Sequence, residues 1–178
     1  MLESLVLATF VFFHAVSNAA DTPGLDFIND AMGCLPQKGH MEFGQVGFAP
    51  YTSQPCVHKI SNLSPTDMFV INVELLNQPP IRQKDALEAP FHSLVKEQEN
   101  CRIYKLSLPA GESTHVSYRF FYVRVILKGS LIQHALQEDV SWNESLRMGD
   151  SHWKEPCVNI TITNVGDSVY EAYVCELI

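Results

Sequence analysis

The sequence predicts an all-β protein, a sandwich or barrel written as two related units. Three observations carry that reading. Short apolar runs with strand character recur between Gly, Pro and Asn corners, and no long helical period competes with them. Val158 to Thr163 sets Val, Ile and Ile against Asn, Thr and Thr, the alternation of a half-buried strand. The chain also repeats itself. Pro55-Cys56-Val57 is followed by Met68 to Val73 and then Glu74-Leu75-Leu76, while Pro156-Cys157-Val158 is followed by Tyr170 to Cys175 and then Glu176-Leu177-Ile178. An apolar strand, a turn and a second strand ending in Glu-Leu stand twice, at a spacing of domain size and not at the shorter period of a solenoid.

The 178 residues fit one ordinary domain or two small ones, and 46% hydrophobic content supplies real cores. A formal net charge of −8 argues against a nucleic-acid surface, which needs a basic face. Beyond the N-terminus no apolar run is long enough for a membrane-spanning helix.

The N-terminal run Leu5 to Phe13 has two readings. With the small residues Ser17, Asn18, Ala19 and Ala20 it has the length and cleavage region of a signal peptide, although Glu3 stands where a basic residue is expected. It also reads as a buried strand, because Leu5 to Phe10 can be laid against Tyr122 to Leu127. The first reading implies a secreted chain. The second implies a cytoplasmic one that starts partway through a barrel.

Residues 21–40 are rich in turn formers and only weakly periodic; Gly44 to Tyr51 and Val57 to Ile60 resume the strand pattern. Asn77-Gln78-Pro79-Pro80 closes the first unit, since two adjacent prolines do not fit a central strand. The segmentation is therefore 1–20 as signal or first strand, 21–78 as a partial or divergent unit, 79–92 as linker and 93–178 as a barrel. A helical turn is expected in the linker around Asp85 to Glu88. In the second unit, Cys101 to Leu108 is a strand and Pro109-Ala110-Gly111-Glu112 a turn. Phe120 to Leu127 is an apolar-aromatic strand broken by Arg124, Trp142 to Ser145 and Met148-Gly149-Asp150 are corners, and Asn164 to Asp167 is the last turn before a closing strand, Val169 to Ile178.

The five cysteines, Cys34, Cys56, Cys101, Cys157 and Cys175, show no C-x-x-C spacing, which disfavours a zinc knuckle or thioredoxin-like site. Cys56 and Cys157 read as small buried hydrophobes at equivalent positions. In a secreted chain one or two disulfides become available. Glycosylation would then concern the sequon residues Asn62, Asn143 and Asn159.

At this point the second half resembles a cupin of the RmlC-like type. Glu99 to Tyr104 resembles the opening strand, Leu108 to Thr114 the turn into the first motif, and Val123 to Gly129 the strand that closes it. Gly149-Asp150, Trp153 and Asn164 to Asp167 follow in the order of the second motif. The resemblance covers about residues 95–178, and residues 41–76 resemble the back end of the same domain. It implies a double-stranded β-helix, a jelly-roll barrel, in the form of a bicupin whose first half is truncated or divergent.

The resemblance also implies a place for a metal: two His one residue apart, a Glu or Gln shortly after, and a third His four residues before the Asn. Alternate residues of a strand share a face, so such a pair converges on the barrel interior. Counted back from Gly129 and Asn164, these positions are Val116, Tyr118, Tyr122 and Ile160, with His115 as the only nearby imidazole. No metal is therefore expected in the second barrel. In the first half His58 stands four residues before Asn62, and one divalent transition metal there, with His58 as a ligand, is the alternative. Glu74 and Glu176 end equivalent strands of separate units, an improbable arrangement for a catalytic pair. His115, Tyr118 and Tyr122 are the candidate pocket residues, set against a reading of the tyrosines as wall residues.

The expectation is a non-catalytic or degenerate cupin-domain protein that binds a small molecule or another subunit, including a second copy of itself, with no nucleic acid and no cofactor. The alternatives are a metal-dependent cupin enzyme of oxygenase or isomerase type with its site in the first half, and a secreted structural or storage-type β-protein.

Overall fold

The computed structural model describes residues 8–15, 25–31, 37–51, 58–65, 68–74, 85–137 and 140–178. Every regular element among them is a strand. The chain divides into two compact units, Met1–Gln78 and Pro79–Ile178.

The first unit holds β1 (Ala8–Ala15), β2 (Leu25–Ala31), β3 (Gln37–Met41), β4 (Val46–Tyr51), β5 (His58–Asn62) and β6 (Phe69–Glu74). They form two antiparallel three-stranded sheets, β4-β1-β6 and β3-β2-β5. The second unit holds β7 (His92–Glu97), β8 (Cys101–Leu108), β9 (Ser113–Tyr118), β10 (Tyr122–Lys128), β11 (Leu131–Gln137), β12 (Val140–Ser145), β13 (Ser151–Lys154), β14 (Cys157–Asn164) and β15 (Tyr170–Leu177). Its sheets run β13-β10-β15-β8-β7 and β12-β11-β14-β9, again antiparallel.

The repeat seen in the sequence is a repeat of pairing. In the first unit β1 lies between β4 and β6, and β2 between β3 and β5; in the second, β10 lies between β13 and β15, and β11 between β12 and β14. The turns agree as well. The Gln45 amide donates to the Glu42 carbonyl while Gln45 Oε1 accepts from the Glu42 amide; Asp150 returns to Arg147 in the same two ways. Gly44 and Gly149 occupy the matching position with φ of 70° and 87°, a left-handed conformation that glycine takes without a Cβ penalty. Asn62 Oδ1 accepts from the Ser64 amide, and Asn164 Oδ1 from the Gly166 amide. The counterpart of Cys157 in the first copy, Cys56, lies outside the described residues.

Several expectations need correction. Of the N-terminal run, Ala8–Ala15 is a strand paired on both sides, and its register differs from the alignment above: Phe10 opposes Glu74 as Tyr122 opposes Glu176, so Phe10 and not Leu5 matches Tyr122. A run apolar at nearly every position, with Thr9 alone breaking Leu5 to Phe13, gives the register little to fix it. Asp85 to Ala89 forms no helix and has no regular secondary structure; the Leu87 amide donates to Tyr104 Oη and Arg102 Nη1 donates to the Asp85 carbonyl. Residues 140–145 form β12 and not a corner; it is an edge strand exposed almost throughout, Val140 and Trp142 included. β2, β3 and β7 are likewise strands that the sequence pattern passes over. In β14 the alternation is interrupted. A bulge at Asn159, with φ of 56°, leaves Val158 exposed while Ile160 and Ile162 stay buried.

The core of the second unit lies between its two sheets. Leu106, Leu108, Ile126, Ile132, Ile162 and Ala172 are among its members, and Tyr104, Tyr118, Tyr122 and Tyr170 pack into the same cluster. Asn164 pins the last turn: it is fully buried, its Nδ2 donates to the Leu108 and Ser168 carbonyls, and its Oδ1 accepts from Ser130 Oγ.

Candidate functional site

Two clusters of polar side chains lie within the second unit, and their chemistry differs. The first sits where the open edges β12 and β13 face each other. Arg124 follows Tyr122 and precedes Ile126 on the buried face of β10, and in the ladders His152 opposes Arg124 while Glu144 opposes Ile132. Arg124 Nη2 donates to Glu144 Oε2 at 2.6 Å, and His134 Nε2 donates to the same oxygen at 3.1 Å. His152 Nδ1 and Lys154 Nζ each lie 3.7 Å from Glu144 Oε1. Arg124 and His134 are each only 4% exposed.

This carboxylate is saturated by its neighbours. Burial alone would raise the Glu144 pKa, but the hydrogen bond and charge of Arg124, with the charge of Lys154, hold it at about 2. Burial and the Arg124 charge push His134 down to about 4, so its ring is neutral near pH 7. The two imidazoles and the carboxylate do not amount to a metal site. A guanidinium and an ammonium already occupy the oxygens, and no metal-holding group of His, Cys, Asp or Glu occurs among the described residues.

The second cluster adjoins the first, since Tyr122 is the next inward residue to Arg124 on β10. The four positions that the cupin metal pattern singles out, Val116, Tyr118, Tyr122 and Ile160, are 3%, 2%, 6% and 5% exposed and belong to the apolar core. Tyr118 and Tyr122 pack ring to ring with centroids 4.5 Å apart, and Tyr118 Oη hydrogen-bonds His92 Nε2 at 2.7 Å. Burial raises both phenols above their ordinary pKa, which keeps them protonated. Valine and isoleucine offer no donor atom and a protonated phenol is a poor one, so these residues do not fit a transition metal. In the first unit Phe10 holds the register place of Tyr122, and the counterpart of β9 is not among the described residues. His58 opens β5; its side chain lies outside the described residues.

The structure does not bring the three sequence-predicted pocket residues together. Tyr118 and Tyr122 face inward, whereas His115 is exposed on the other face of β9, its Nδ1 3.2 Å from Thr161 Oγ1. His115 instead lines a cavity of about 710 Å³ with Asp85, Glu88, Arg119, Phe120 and Glu176. Glu176 is the member that sequence reasoning passed over. It is 2% exposed, opposes Arg102 on β8 and Tyr122 on β10, and burial pushes its carboxyl up to about 7 against the pull of Arg102 and Arg119. Its sequence signals are the Glu-Leu ending that it shares with Glu74 and its place at an inward position of the closing strand. Among the described residues no hydrogen bond or ion pair reaches it. Arg102 is held by Glu97 Oε1 at 2.7 Å and by the Asp85 carbonyl at 2.9 Å.

The three sequon residues Asn62, Asn143 and Asn159 are exposed. Cys101, Cys157 and Cys175 are free thiols, and Cys34 and Cys56 lie outside the described residues. No helix among the described residues is long and apolar enough to cross a membrane.

No protein-family model matches the chain, and no curated protein matches it. Solved structures do. AerE from Microcystis aeruginosa is similar over 96% of this chain and 78% of its own, with a TM-score of 0.62 and 11% identity. A Cupin 2 conserved barrel domain protein from Leptotrichia buccalis is similar over 99% and 76%, with a TM-score of 0.53 and 9% identity. Vicilin from Corylus avellana (hazelnut) is similar over 96% and 69%, with a TM-score of 0.50 and 8% identity. The protein is thus an all-β jelly roll. It shares this fold with the AerE structure and with the Cupin 2 conserved barrel domain protein.

Proposed function

We propose that this chain is a cupin-fold binding protein that takes a small molecule at the mouth of its second barrel, without metal-dependent chemistry there. One observation carries the reading. The positions that would converge on a metal are filled with Val116, Tyr118, Tyr122 and Ile160, while a cavity of about 710 Å³ opens beside them. That volume lies within the range of small-molecule pockets, and its wall is mostly polar and charged, with Leu87, Val116 and Phe120 as its larger apolar members.

Two measurements test it. Ligand-observed NMR of the full chain, run against a mixed panel of small acids, amines and polyols, is expected to find binders. Their signals should disappear in Ala86→Trp, which places an indole in the cavity from an exposed lining position. Binders unaffected by that substitution, or no binders, would overturn the reading.

The metal content of the full chain is expected to be the same in wild type and His115→Ala. The stability change should be no more than about 0.5 kcal/mol, as at other exposed positions. Stoichiometric Fe, Mn, Ni or Zn lost on that substitution would move the second barrel to the enzyme class.

A further inference from the structure

The cavity's charges are unbalanced. Among the described residues that line it, Glu176 forms part of its wall, Asp85 and Glu88 stand exposed at its rim, and Arg119 is the one guanidinium. Among the described residues Glu176 has no hydrogen-bond or ion-pair partner; it is more than nine-tenths buried and lines open space. A buried acid normally has its hydrogen bonds and counter-charge supplied from within the fold. Glu144, in the same unit, has both. Among the described residues no hydrogen bond or ion pair reaches Glu176, and Arg102 and Arg119 act on it only through space, since Arg102 is turned to Glu97 and Asp85. The missing partner must therefore enter from the cavity, and it must donate hydrogen bonds or carry positive charge. Phe120 on the same wall adds an aromatic surface of the kind that accepts a cation.

We propose that the ligand of this cavity carries a protonated amine, seated on Glu176 by charge-assisted hydrogen bonds. This rests on the reading of the cavity as a small-molecule site and names its ligand class. Asp85 and Glu88 draw the cation toward the mouth. Arg119 is placed to meet a carboxylate on the same molecule, which would distinguish an amino acid from a simple amine.

Four probes of matched size separate the outcomes: butylamine, γ-aminobutyrate, butyrate and butanol, each titrated into the full chain by saturation-transfer NMR at pH 7.5. The two ammonium-bearing probes are expected to bind and to weaken roughly tenfold or more in Glu176→Gln. Glu176→Asp, which keeps the charge, should retain part of the affinity. Preference for γ-aminobutyrate over butylamine, lost in Arg119→Gln, would assign the ligand to the amino acids; equal binding would assign it to the simple amines. Butyrate or butanol binding as well as butylamine in a manner sensitive to Ala86→Trp would overturn the amine assignment while leaving the cavity a ligand site. So would amine binding unchanged in Glu176→Gln. Failure of all four probes and of the mixed panel would overturn both.

Discussion

Replacing Glu144 by Gln is expected to destabilise the second unit by about 3–5 kcal/mol, because it leaves Arg124 buried without its anion. The carboxylate is the only counter-charge that Arg124 contacts among the described residues, and His134, His152 and Lys154 converge on it as well. The amide keeps the shape and loses the charge, so the deficit reports electrostatics and not a cavity. Urea denaturation of wild type and variant measures it. The double variant Arg124→Met, Glu144→Leu should recover most of the loss, since an apolar replacement of a whole buried pair is often neutral. A loss below about 1 kcal/mol in Glu144→Gln would mean that water solvates the cluster in place of the carboxylate.

The same cluster gives the protein an acid limit. The Glu144 carboxyl, held at about 2 from an ordinary 4.5, contributes stability that is fully present above pH 4.5 and lost as pH falls toward 2. His134, lowered to about 4 from an ordinary 6.5, is kept neutral by the fold, so the unfolded chain binds its proton first and stability falls between pH 6.5 and pH 4. The two losses follow one another on acidification.

Sequence pattern and structure part company where burial is one-sided or absent. Strands with both faces buried, such as β8 and β15, or with one buried face over part of their length, such as β14 from Ile160 on, stand out because their side chains must follow the pleat. β12 is an exposed edge, and β2 and β3 alternate too weakly, so composition there resembles a corner. The filled metal positions were legible because Val116, Tyr118, Tyr122 and Ile160 can be counted from Gly129 and Asn164. His115 stands on the other face of β9 from Tyr118, since a shift of one residue exchanges the two faces, and from there it lines the cavity. The Arg124–Glu144 cluster could not be read at all. Its members stand on four strands, and only the ladders of β10 with β13 and of β11 with β12 bring them together. Glu176 was visible as half of the repeated Glu-Leu ending, but its isolation depends on Arg102 turning to Glu97, which no spacing encodes.

That isolation has a consequence at neutral and alkaline pH. Glu176→Gln is expected to stabilise the ligand-free protein by on the order of 2–3 kcal/mol at pH 8 and to change it little at pH 5. Burial raises the carboxyl to about 7 from an ordinary 4.5, so the unfolded chain gives up its proton first as pH rises. The folded state therefore loses stability from pH 4.5 through 7, and above that the loss is complete. Several groups surround the carboxylate. Arg102 and Arg119 moderate the loss through space, whereas Tyr104, Tyr118 and Tyr122 remain protonated and carry no charge to offset it. His115, Asp85 and Glu88 line the same cavity at more exposed positions, and His92 faces the cluster only through Tyr118. Thermal denaturation of both proteins at pH 5 and pH 8 decides the matter: parallel pH profiles would show that Glu176 is solvated or paired, whereas convergence at acid pH would show the cost of an unmatched charge. A carboxylate that makes its own fold less stable at working pH persists where something else uses it, and a bound ammonium group would both hold the ionised form and recover the lost stability. Adding butylamine at pH 8 should then raise the midpoint of the wild type and leave Glu176→Gln where it was.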